Sequence, residues 1–146
     1  GEANSAMRQL KNDGLDVLIP TLKQPFMGIC LGMQLLCRHS EENDTPMLNI
    51  IPLDVKHFVT DLKVPHMGWN NIYDLKSPVM QGLEEQDYVY FVHSYFVPVS
   101  EHTIAAADYP QPFSAAVQYE NFYAVQFHTE KSGPTGAKIL QNFLQL

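Results

Sequence analysis

Basic residues are scarce in this chain of 146 amino acids. Its 9 Lys and Arg residues face 16 Asp and Glu residues, which gives a formal net charge of −7, and they form no cluster. Because nucleic-acid-binding proteins concentrate positive charge on one surface, we expect no nucleic-acid partner. Long apolar runs are missing as well: residues 27–37 are interrupted by Gln34 and are too few to span a membrane. We therefore expect no membrane association either.

Cysteine is nearly absent, and the spacing of its two occurrences argues against a disulfide. Cys30 and Cys37 lie seven residues apart on a predicted helix, about 10 Å along its axis, which exceeds the roughly 7 Å limit for a bridge. We therefore expect two free thiols and a cytoplasmic protein, because reducing compartments keep thiols free. The histidines outside the motifs below show no metal-ligand spacing, so we expect no metal and no cofactor. They are His39, His57, His66 and His102.

The length and the 45% hydrophobic content predict one domain, residues 1–146, with a substantial core. A first helix is expected to begin after Asn4 or Ser5 as its N-cap. Residues 15–23 are ambiguous between a strand and a short helix, because a proline there argues against a central strand. We predict an acidic loop over residues 40–45 and a final helix from about Thr135. The predicted strands cover residues 26–29, 53–58, 71–75, 88–92, 95–99, 103–109, 113–119 and 122–127.

The segment Gly28-Ile29-Cys30-Leu31-Gly32 is the most informative in the chain. Residues 26–29 form an apolar run typical of a buried strand, and residues 31–38 have the apolar spacing of a helix. Cys30 is therefore expected on a sharp strand-to-helix turn, a nucleophile elbow with Cys in place of Ser. We expect both glycines to let strand and helix pass closely, and the helix N-terminus to stabilise a thiolate. The alternative is a buried, inert thiol at a packing site.

A base and an orienting carboxylate follow about a hundred residues later, in Phe127-His128-Thr129-Glu130. A catalytic cysteine needs a base, and a neighbouring acid fixes the tautomer of that base. Taken singly, His128 is equally explained as a backbone-bonded histidine and Glu130 as a solvated loop acid. Together with Cys30 they predict a Cys-His-Glu triad. The zinc deaminase signature also begins with His-x-Glu, but it needs later cysteines, and none follows Cys37.

Residues 28–34 and 126–130 resemble the class I, triad-type glutamine amidotransferases. Segments 65–70 and 90–95 are similar to the glutaminase subunits of imidazole glycerol phosphate synthase, and the similarity runs through the whole chain. The resemblance implies a three-layer α/β/α fold whose central sheet is mixed but mostly parallel, with a smaller antiparallel part. Because no strand precedes the first helix, we expect a glutaminase domain that lacks its N-terminal portion.

The resemblance also implies how the triad works. Cys30 attacks the side-chain amide of L-glutamine, His128 transfers the proton, and Glu130 orients His128. The N–H of Leu31 and the backbone near Gly1 are the expected oxyanion donors. Most members of the family have proline at the place of Thr129, and threonine there removes a rigid link but no catalytic atom.

The glutamine pocket is carried over from the same resemblance. Gln34, Ser94 and Tyr95 are the expected pocket residues. Glu42 is a candidate for binding the substrate ammonium group, although a solvated loop acid explains it equally well. His93 is expected to polarise or line the pocket, with simple packing as its alternative.

By this resemblance the ammonia passes to a (βα)8-barrel cyclase subunit, which forms a heterodimer with the glutaminase and makes imidazole glycerol phosphate in histidine biosynthesis. Trp69, Asn70, Tyr88 and Lys131 are the candidate docking residues, because an aromatic anchor with a charged rim is typical of an interface. Core packing is the alternative for Trp69. Two other functions stay open: a stand-alone cysteine hydrolase such as a γ-glutamyl hydrolase, and a non-catalytic interaction module.

Overall fold

The computed structural model describes residues 2–146 of the chain. The α-helices in this range are α1 (Ala3–Asn12), α2 (Leu15–Leu18), α3 (Leu31–Leu35) and α4 (Gly133–Leu144). Short 3-10 turns occupy Ile19–Thr21, Glu42–Asp44, Pro78–Met80 and Thr129–Lys131. No helix formed by residues 2–146 has the length and apolar character needed to cross a bilayer.

The strands in the same range group into three sheets. They are β1 (Phe26–Ile29), β2 (His39–Ser40), β3 (Thr45–Pro46), β4 (Asp54–His57), β5 (His66–Asn71), β6 (Tyr88–His93), β7 (Tyr95–Phe96), β8 (Thr103–Asp108), β9 (Pro112–Tyr119) and β10 (Phe122–Val125). The central sheet has the order β1-β10-β9-β8, a second sheet has the order β3-β2-β4-β7, and β5 pairs with β6.

One parallel pair in the central sheet positions the site. β1 runs parallel to β10, whereas β10, β9 and β8 are antiparallel neighbours. Because the C-terminal ends of parallel strands meet at the same edge of a sheet, the residues that follow these two strands lie side by side. Those residues are Cys30 after β1 and Gln126 after β10.

The mixture of parallel and antiparallel strands is confirmed, but the expected balance is not. Within residues 2–146 the parallel pairs are β1–β10 and β2–β4, and the other five pairs are antiparallel. The prediction of a mostly parallel sheet is therefore wrong for this part of the chain. Tight connections such as the one between β9 and β10 leave no room for the crossover that a parallel pair requires.

Helices cover both faces of the central sheet, as the three-layer prediction requires. Successive residues of a strand point to opposite faces. Met27 of β1 accordingly packs into the hydrophobic cluster that contains Ile139 of α4. Its neighbour Phe26 packs into a second cluster, which contains Met7 of α1 and Met33 of α3. The thin central layer thus separates two cores, and α3 begins at the sheet edge where Cys30 lies.

Two helix predictions need revision at their ends. Helix α1 is capped by Glu2, whose carboxylate accepts the N–H groups of Asn4 and Ser5, so neither of those two residues is the cap. Of the two alternatives for residues 15–23, the short helix is confirmed, because α2 and a 3-10 turn occupy residues 15–21. Helix α3 ends at Leu35 rather than near residue 38.

Two further predicted segments differ from the structure at their ends. The predicted acidic loop, residues 40–45, contains the end of β2 and the start of β3, which pair with each other. The predicted strand at residues 71–75 is displaced: β5 occupies His66–Asn71, and Tyr73 forms only an isolated bridge with Ala106. The glycine and the proline in residues 65–68 hide the strand from a pattern-based prediction, because both residues are unusual in strands.

Candidate active site

Cys30 lies between β1 and α3 in a backbone conformation that non-glycine residues rarely adopt, with φ 56° and ψ −110°. Its N–H donates to the carbonyl oxygen of Val125 at 2.8 Å, which ties the turn to the end of β10. A Cβ on Gly28 would lie 2.6 Å from the carbonyl oxygen of Gly32, so α3 can pass this close only to a glycine. A Cβ on Gly32 would meet nothing within 4 Å, so the close-approach role predicted for Gly32 is wrong. The sharp strand-to-helix turn itself is confirmed.

Two of the polar neighbours of the Cys30 sulfur are of opposite kind. The S–H of Cys30 donates to the carbonyl oxygen of Val92 at 3.8 Å, and the sulfur accepts from the side-chain amide nitrogen of Gln126 at 3.8 Å. Burial raises the pKa of the Cys30 thiol, and the N–H of Leu31 and the amide of Gln126 lower it only in part. The N–H of Leu31 at the start of α3 favours the thiolate, as expected of the helix end, but burial outweighs it and the pKa of the thiol is raised. The thiol needs a base to remove its proton.

His128 and Glu130 form a close pair at the start of the 3-10 turn Thr129–Lys131. The imidazole Nδ1 of His128 lies 2.6 Å from Oε1 of Glu130. Partial burial alone would raise the pKa of Glu130, but hydrogen bonds from its own N–H and from His128, together with nearby positive charge, lower it below its ordinary value. Because an ionised carboxylate only accepts, Nδ1 carries the proton and Nε2 is the basic nitrogen.

A cavity of about 480 Å³ at this edge of the sheet joins these groups. Both Cys30 and His128 line it. The structure brings the sequence-predicted pocket residues to the same cavity: Leu31, Gln34, Glu42, His93, Ser94 and Tyr95. Gly1, the second expected oxyanion donor, lies outside the described residues. The volume falls within the range of small-molecule sites, which is about 300 to 1,000 Å³.

Comparison with known proteins shows the family. The class I glutamine amidotransferase family matches residues 11–146. The imidazole glycerol phosphate synthase subunit HisH of Bacteroides thetaiotaomicron is 56% identical over all of this chain, which spans 76% of that relative. The HisH subunit of Escherichia coli K12 is 52% identical with the same coverage. The chain is a class I glutamine amidotransferase of the HisH family. The resemblance inferred from its motifs is confirmed.

Solved structures with little sequence similarity share the fold of this HisH-family chain. The crystal structure of a glutamine amidotransferase gives a TM-score of 0.73 over 99% of this chain and 74% of that one, at 14% identity. A glutamine amidotransferase from Thermotoga maritima gives a TM-score of 0.59 over 93% of this chain and 54% of that one, at 18% identity. These likenesses support the class I amidotransferase fold.

Gln34 is nearly buried, and both hydrogens of its amide are engaged. Its Nε2 donates to the carbonyl oxygen of Tyr95 at 3.1 Å and to Oε1 of Gln126 at 3.0 Å. The group that Gln34 can still offer to a ligand in this HisH-family pocket is its carbonyl oxygen, an acceptor. Gln34 therefore joins the wall of the cavity to the side chain that contacts the sulfur of Cys30.

His93 has no free ring nitrogen for a substrate. Its Nδ1 lies 2.8 Å from the carbonyl oxygen of Tyr95 and must donate, because a carbonyl only accepts. Its Nε2 is 2.9 Å from Nδ1 of His66, whose Nε2 in turn is 3.3 Å from the amide nitrogen of Asn70. Burial lowers the pKa of His66 to about 4 and that of His93 to about 3, so both are neutral. His93 thus lines the pocket and holds the Tyr95 carbonyl.

Glu42 is partly buried at the cavity wall. Its Oε1 accepts the N–H of Ala3 at 2.8 Å, which connects the first turn of α1 to the pocket. The neighbouring Asn43 donates its amide to Glu2, the cap of the same helix. The interpretation of Glu42 as a solvated loop acid is therefore wrong, since it has a structural partner and faces the cavity.

An exposed aromatic surface lies on the outer face of the β5–β6 hairpin. We call it the hairpin patch and define it as Met67, Trp69, Tyr88 and Tyr90. Trp69 is 57% exposed and Tyr88 is 59% exposed, so core packing does not explain Trp69. The ring of Tyr90 contacts that of Trp69 at 6.0 Å and lies 5.9 Å from Nζ of Lys131. Asn70 is not part of this patch, because its amide points inward to His66 and to the carbonyl oxygen of Asp108.

Thr129 occupies a position that the structure leaves incompletely satisfied. Its side-chain hydroxyl is buried without a hydrogen-bond partner among the described residues. Thr129 is also the first residue of its 3-10 turn, and the preceding residue, His128, has an extended conformation. Proline is favoured at the first position of a helical turn, and the residue before a proline favours an extended conformation. The backbone at Thr129 is therefore compatible with proline.

Sequence reasoning missed two residues of this HisH-family site, Gln126 and His66. Both belong to segments quoted for the resemblance, but neither received a role. The available signal for Gln126 was a lone polar side chain directly after the apolar residues 122–125. The signal for His66 was weaker, because it depends on knowing that residue 66 pairs with residue 93 across a hairpin.

Proposed function

We propose that this chain hydrolyses the side-chain amide of L-glutamine and supplies the ammonia to the cyclase of imidazole glycerol phosphate synthase, in histidine biosynthesis. The observation that carries the proposal is a strained cysteine elbow and a His–Glu pair that open onto one cavity, in a member of the HisH family. Nothing in this arrangement favours a stand-alone hydrolase over an amidotransferase subunit.

The proposed reaction begins with proton transfer from Cys30 to Nε2 of His128. The sulfur then attacks the amide carbon, and His128 returns the proton to the departing ammonia. Water, activated by the same imidazole, hydrolyses the thioester and releases glutamate. Glu130 stays ionised because its pKa is low, so it stabilises the imidazolium that forms between the two proton transfers.

Oxyanion stabilisation in this proposal comes from the start of α3. Leu31 is the first residue of that helix, and first-turn N–H groups have no acceptor within their own helix. The N–H of Leu31 is therefore available to the tetrahedral intermediate. Loss of one such donor typically costs about 3 kcal/mol in the transition state.

Substrate recognition in the proposal uses acceptor groups at the cavity wall. Glu42 supplies a carboxylate for the α-ammonium group of glutamine, and the free carbonyl oxygen of Gln34 supplies an acceptor. Ser94 and Tyr95 also line the cavity, and the Tyr95 carbonyl is held by Gln34 and His93.

The cyclase, for which we propose the (βα)8-barrel architecture, docks on the hairpin patch. The patch is continuous with the cavity. Every second residue of β6, namely Tyr88, Tyr90 and Val92, lies on its outer face, and Val92 lines the cavity. Ammonia released there would reach the partner without passing through open water. Lys131, beside Tyr90, supplies the charged rim.

The test uses the complex with the cyclase. Cys30→Ala is expected to abolish imidazole glycerol phosphate synthesis from glutamine and to leave synthesis from ammonium salts intact. Cys37→Ala is the matched control, because Cys37 is buried seven residues away and is not at the cavity. Glutamine consumption at the wild-type rate by Cys30→Ala would refute the nucleophile. A wild-type chain that binds the cyclase without consuming glutamine would instead indicate a non-catalytic module.

The docking surface has its own test. Trp69→Ala is expected to raise the Kd for the cyclase about tenfold or more, as truncation of a central aromatic anchor does. Val59→Ala is the control, because Val59 is 96% exposed but lies outside the hairpin patch. Unchanged affinity together with a lower melting temperature would show that Trp69 stabilises the hairpin and does not dock.

A further inference from the structure

Gln126 is the one polar side chain that reaches the sulfur of Cys30 from the core of the sheet. It follows β10, is fully buried, and lies beside Cys30 because β1 and β10 are parallel. Its amide nitrogen is 3.8 Å from the sulfur. Burying a glutamine side chain costs free energy unless its amide group forms hydrogen bonds. The hydrogen bonds of Gln126 are therefore the basis for assigning it a role.

The orientation of the Gln126 amide follows from the groups around it. The carbonyl oxygen of Tyr95 only accepts, so the nitrogen of Gln34 must face it. The same nitrogen lies 3.0 Å from Oε1 of Gln126, which must therefore be the accepting oxygen. This leaves the NH₂ group of Gln126 toward Cys30. A flipped amide would place two donors against each other and would direct an oxygen at the sulfur.

Besides the N–H of Leu31, which favours the thiolate, the sulfur has two polar neighbours that favour different protonation states. The carbonyl oxygen of Val92 accepts from the thiol and repels a thiolate. The N–H of Gln126 donates to sulfur and is stronger when the sulfur is negative, because hydrogen bonds to charged groups are about twice as strong as neutral ones. Among the side chains in contact with the sulfur, Gln126 is thus the one that favours the reactive form.

We propose that Gln126 is a positioning residue for the nucleophile: oriented by Gln34, its amide holds the Cys30 sulfur in place and stabilises the thiolate formed during catalysis. The proposal rests on the proposed glutaminase function. It also gives Gln34 a second role. The Tyr95 carbonyl fixes the orientation of the Gln34 amide, and the Gln34 amide in turn fixes the orientation of the Gln126 amide beside the sulfur.

The test measures the pH dependence of Cys30 alkylation by iodoacetamide, quantified on the Cys30 peptide by mass spectrometry. Gln126→Met keeps the length of the side chain but removes the donor, and Gln126→Glu keeps the shape and, in its ionised form, offers acceptors only. In both variants the apparent pKa of Cys30 is expected to rise, by about one unit in Gln126→Met and by more in Gln126→Glu. Gln118→Met is the control, because Gln118 contacts Tyr123 on the neighbouring strands and not the cavity.

Kinetics in the cyclase complex supply the second readout. Gln126→Met is expected to lower kcat for glutamine about 10- to 100-fold with little change in KM, as the loss of a hydrogen bond to a charged group does. An alkylation profile and a kcat equal to wild type, in either folded variant, would overturn the proposal. Alkylation does not require glutamine turnover, so failure of the glutaminase proposal would appear in the wild-type assay and remain distinguishable.

Discussion

Acidification is expected to destabilise this protein through the buried pair His66 and His93. The perturbation is a change from about pH 8 to about pH 5. Burial lowers the folded-state pKa of His66 to about 4 and that of His93 to about 3, from an ordinary value of 6.5. The unfolded chain therefore binds more protons than the folded chain throughout this interval. As far as these two histidines are concerned, the free energy of unfolding is highest above about pH 6.5. It decreases as the pH falls from there toward the folded-state pKa values.

The size of the effect follows from these values. At about pH 5 the unfolded histidines are almost fully protonated, whereas the folded ones are not, which removes on the order of 2 kcal/mol for each histidine. The pair together amounts to about 4 kcal/mol, a large share of the roughly 5 to 15 kcal/mol that stabilises a typical domain. Burial opposes the charge, and the hydrogen bonds oppose the added protons: protonation of His93 would place two donors at its 2.9 Å contact with His66, and protonation of His66 would place two donors at its 3.3 Å contact with Asn70.

The assay is urea denaturation followed by far-UV circular dichroism at several pH values. His66→Phe removes one titrating ring and keeps an aromatic group between Phe91 and Tyr109, so it should lower stability at about pH 8 yet roughly halve the pH dependence. His57→Gln is the control, because His57 is exposed, and it should keep the wild-type dependence. Equal pH dependence in wild type and His66→Phe would refute the assignment of two neutral, coupled histidines.

Two further predictions concern the turn that carries His128 and Glu130. Gly136→Ala should lower both the melting temperature and kcat, because its Cβ would collide with the carbonyl oxygen of Thr129, whereas Gly32→Ala meets open space and should leave the melting temperature nearly unchanged. A wild-type kcat in Gly136→Ala would show that the turn can move freely. Thr129→Pro should stabilise the fold by about 0.4 to 1 kcal/mol, measured by thermal denaturation, because it removes a buried unpaired hydroxyl and restricts the unfolded chain. A lower melting temperature would show that the Thr129 N–H or hydroxyl is needed.

The elbow could be predicted from sequence because its determinants are local. An apolar strand, a cysteine and a helical pattern follow one another within residues 26–35, and Gly28 is required by a contact only four residues away. The hydrogen bonds around the sulfur are different in kind. Gln34 and Gln126 are 92 residues apart, and which oxygen faces which nitrogen depends on the final packing. No periodic pattern encodes that choice.

The inward orientation of Asn70, a candidate docking residue, follows from the position of β5. Trp69 and Asn70 are adjacent, and adjacent residues in a strand point to opposite faces. A strand predicted at residues 71–75 leaves both residues outside it, so the sequence gives no expectation of which face each occupies. Once β5 is placed at His66–Asn71, Trp69 faces outward with Tyr90 and Asn70 faces inward with His66. The position of the strand boundary therefore decides whether Asn70 is expected on the outer or the inner face of β5.

Both halves of the proposed triad lie beside a close contact between a helix glycine or strand glycine and main-chain atoms. On one side, the absence of a Cβ at Gly28 lets α3 approach β1 closely enough to force Cys30 into its strained turn. On the other, the absence of a Cβ at Gly136 lets α4 pack against the carbonyl of Thr129, between His128 and Glu130. In each case a helix contacts the backbone beside a side chain of the proposed triad. Because a Cβ at either glycine would collide with main-chain atoms, we expect substitutions at these two positions to affect turnover more than their distance from the substrate implies.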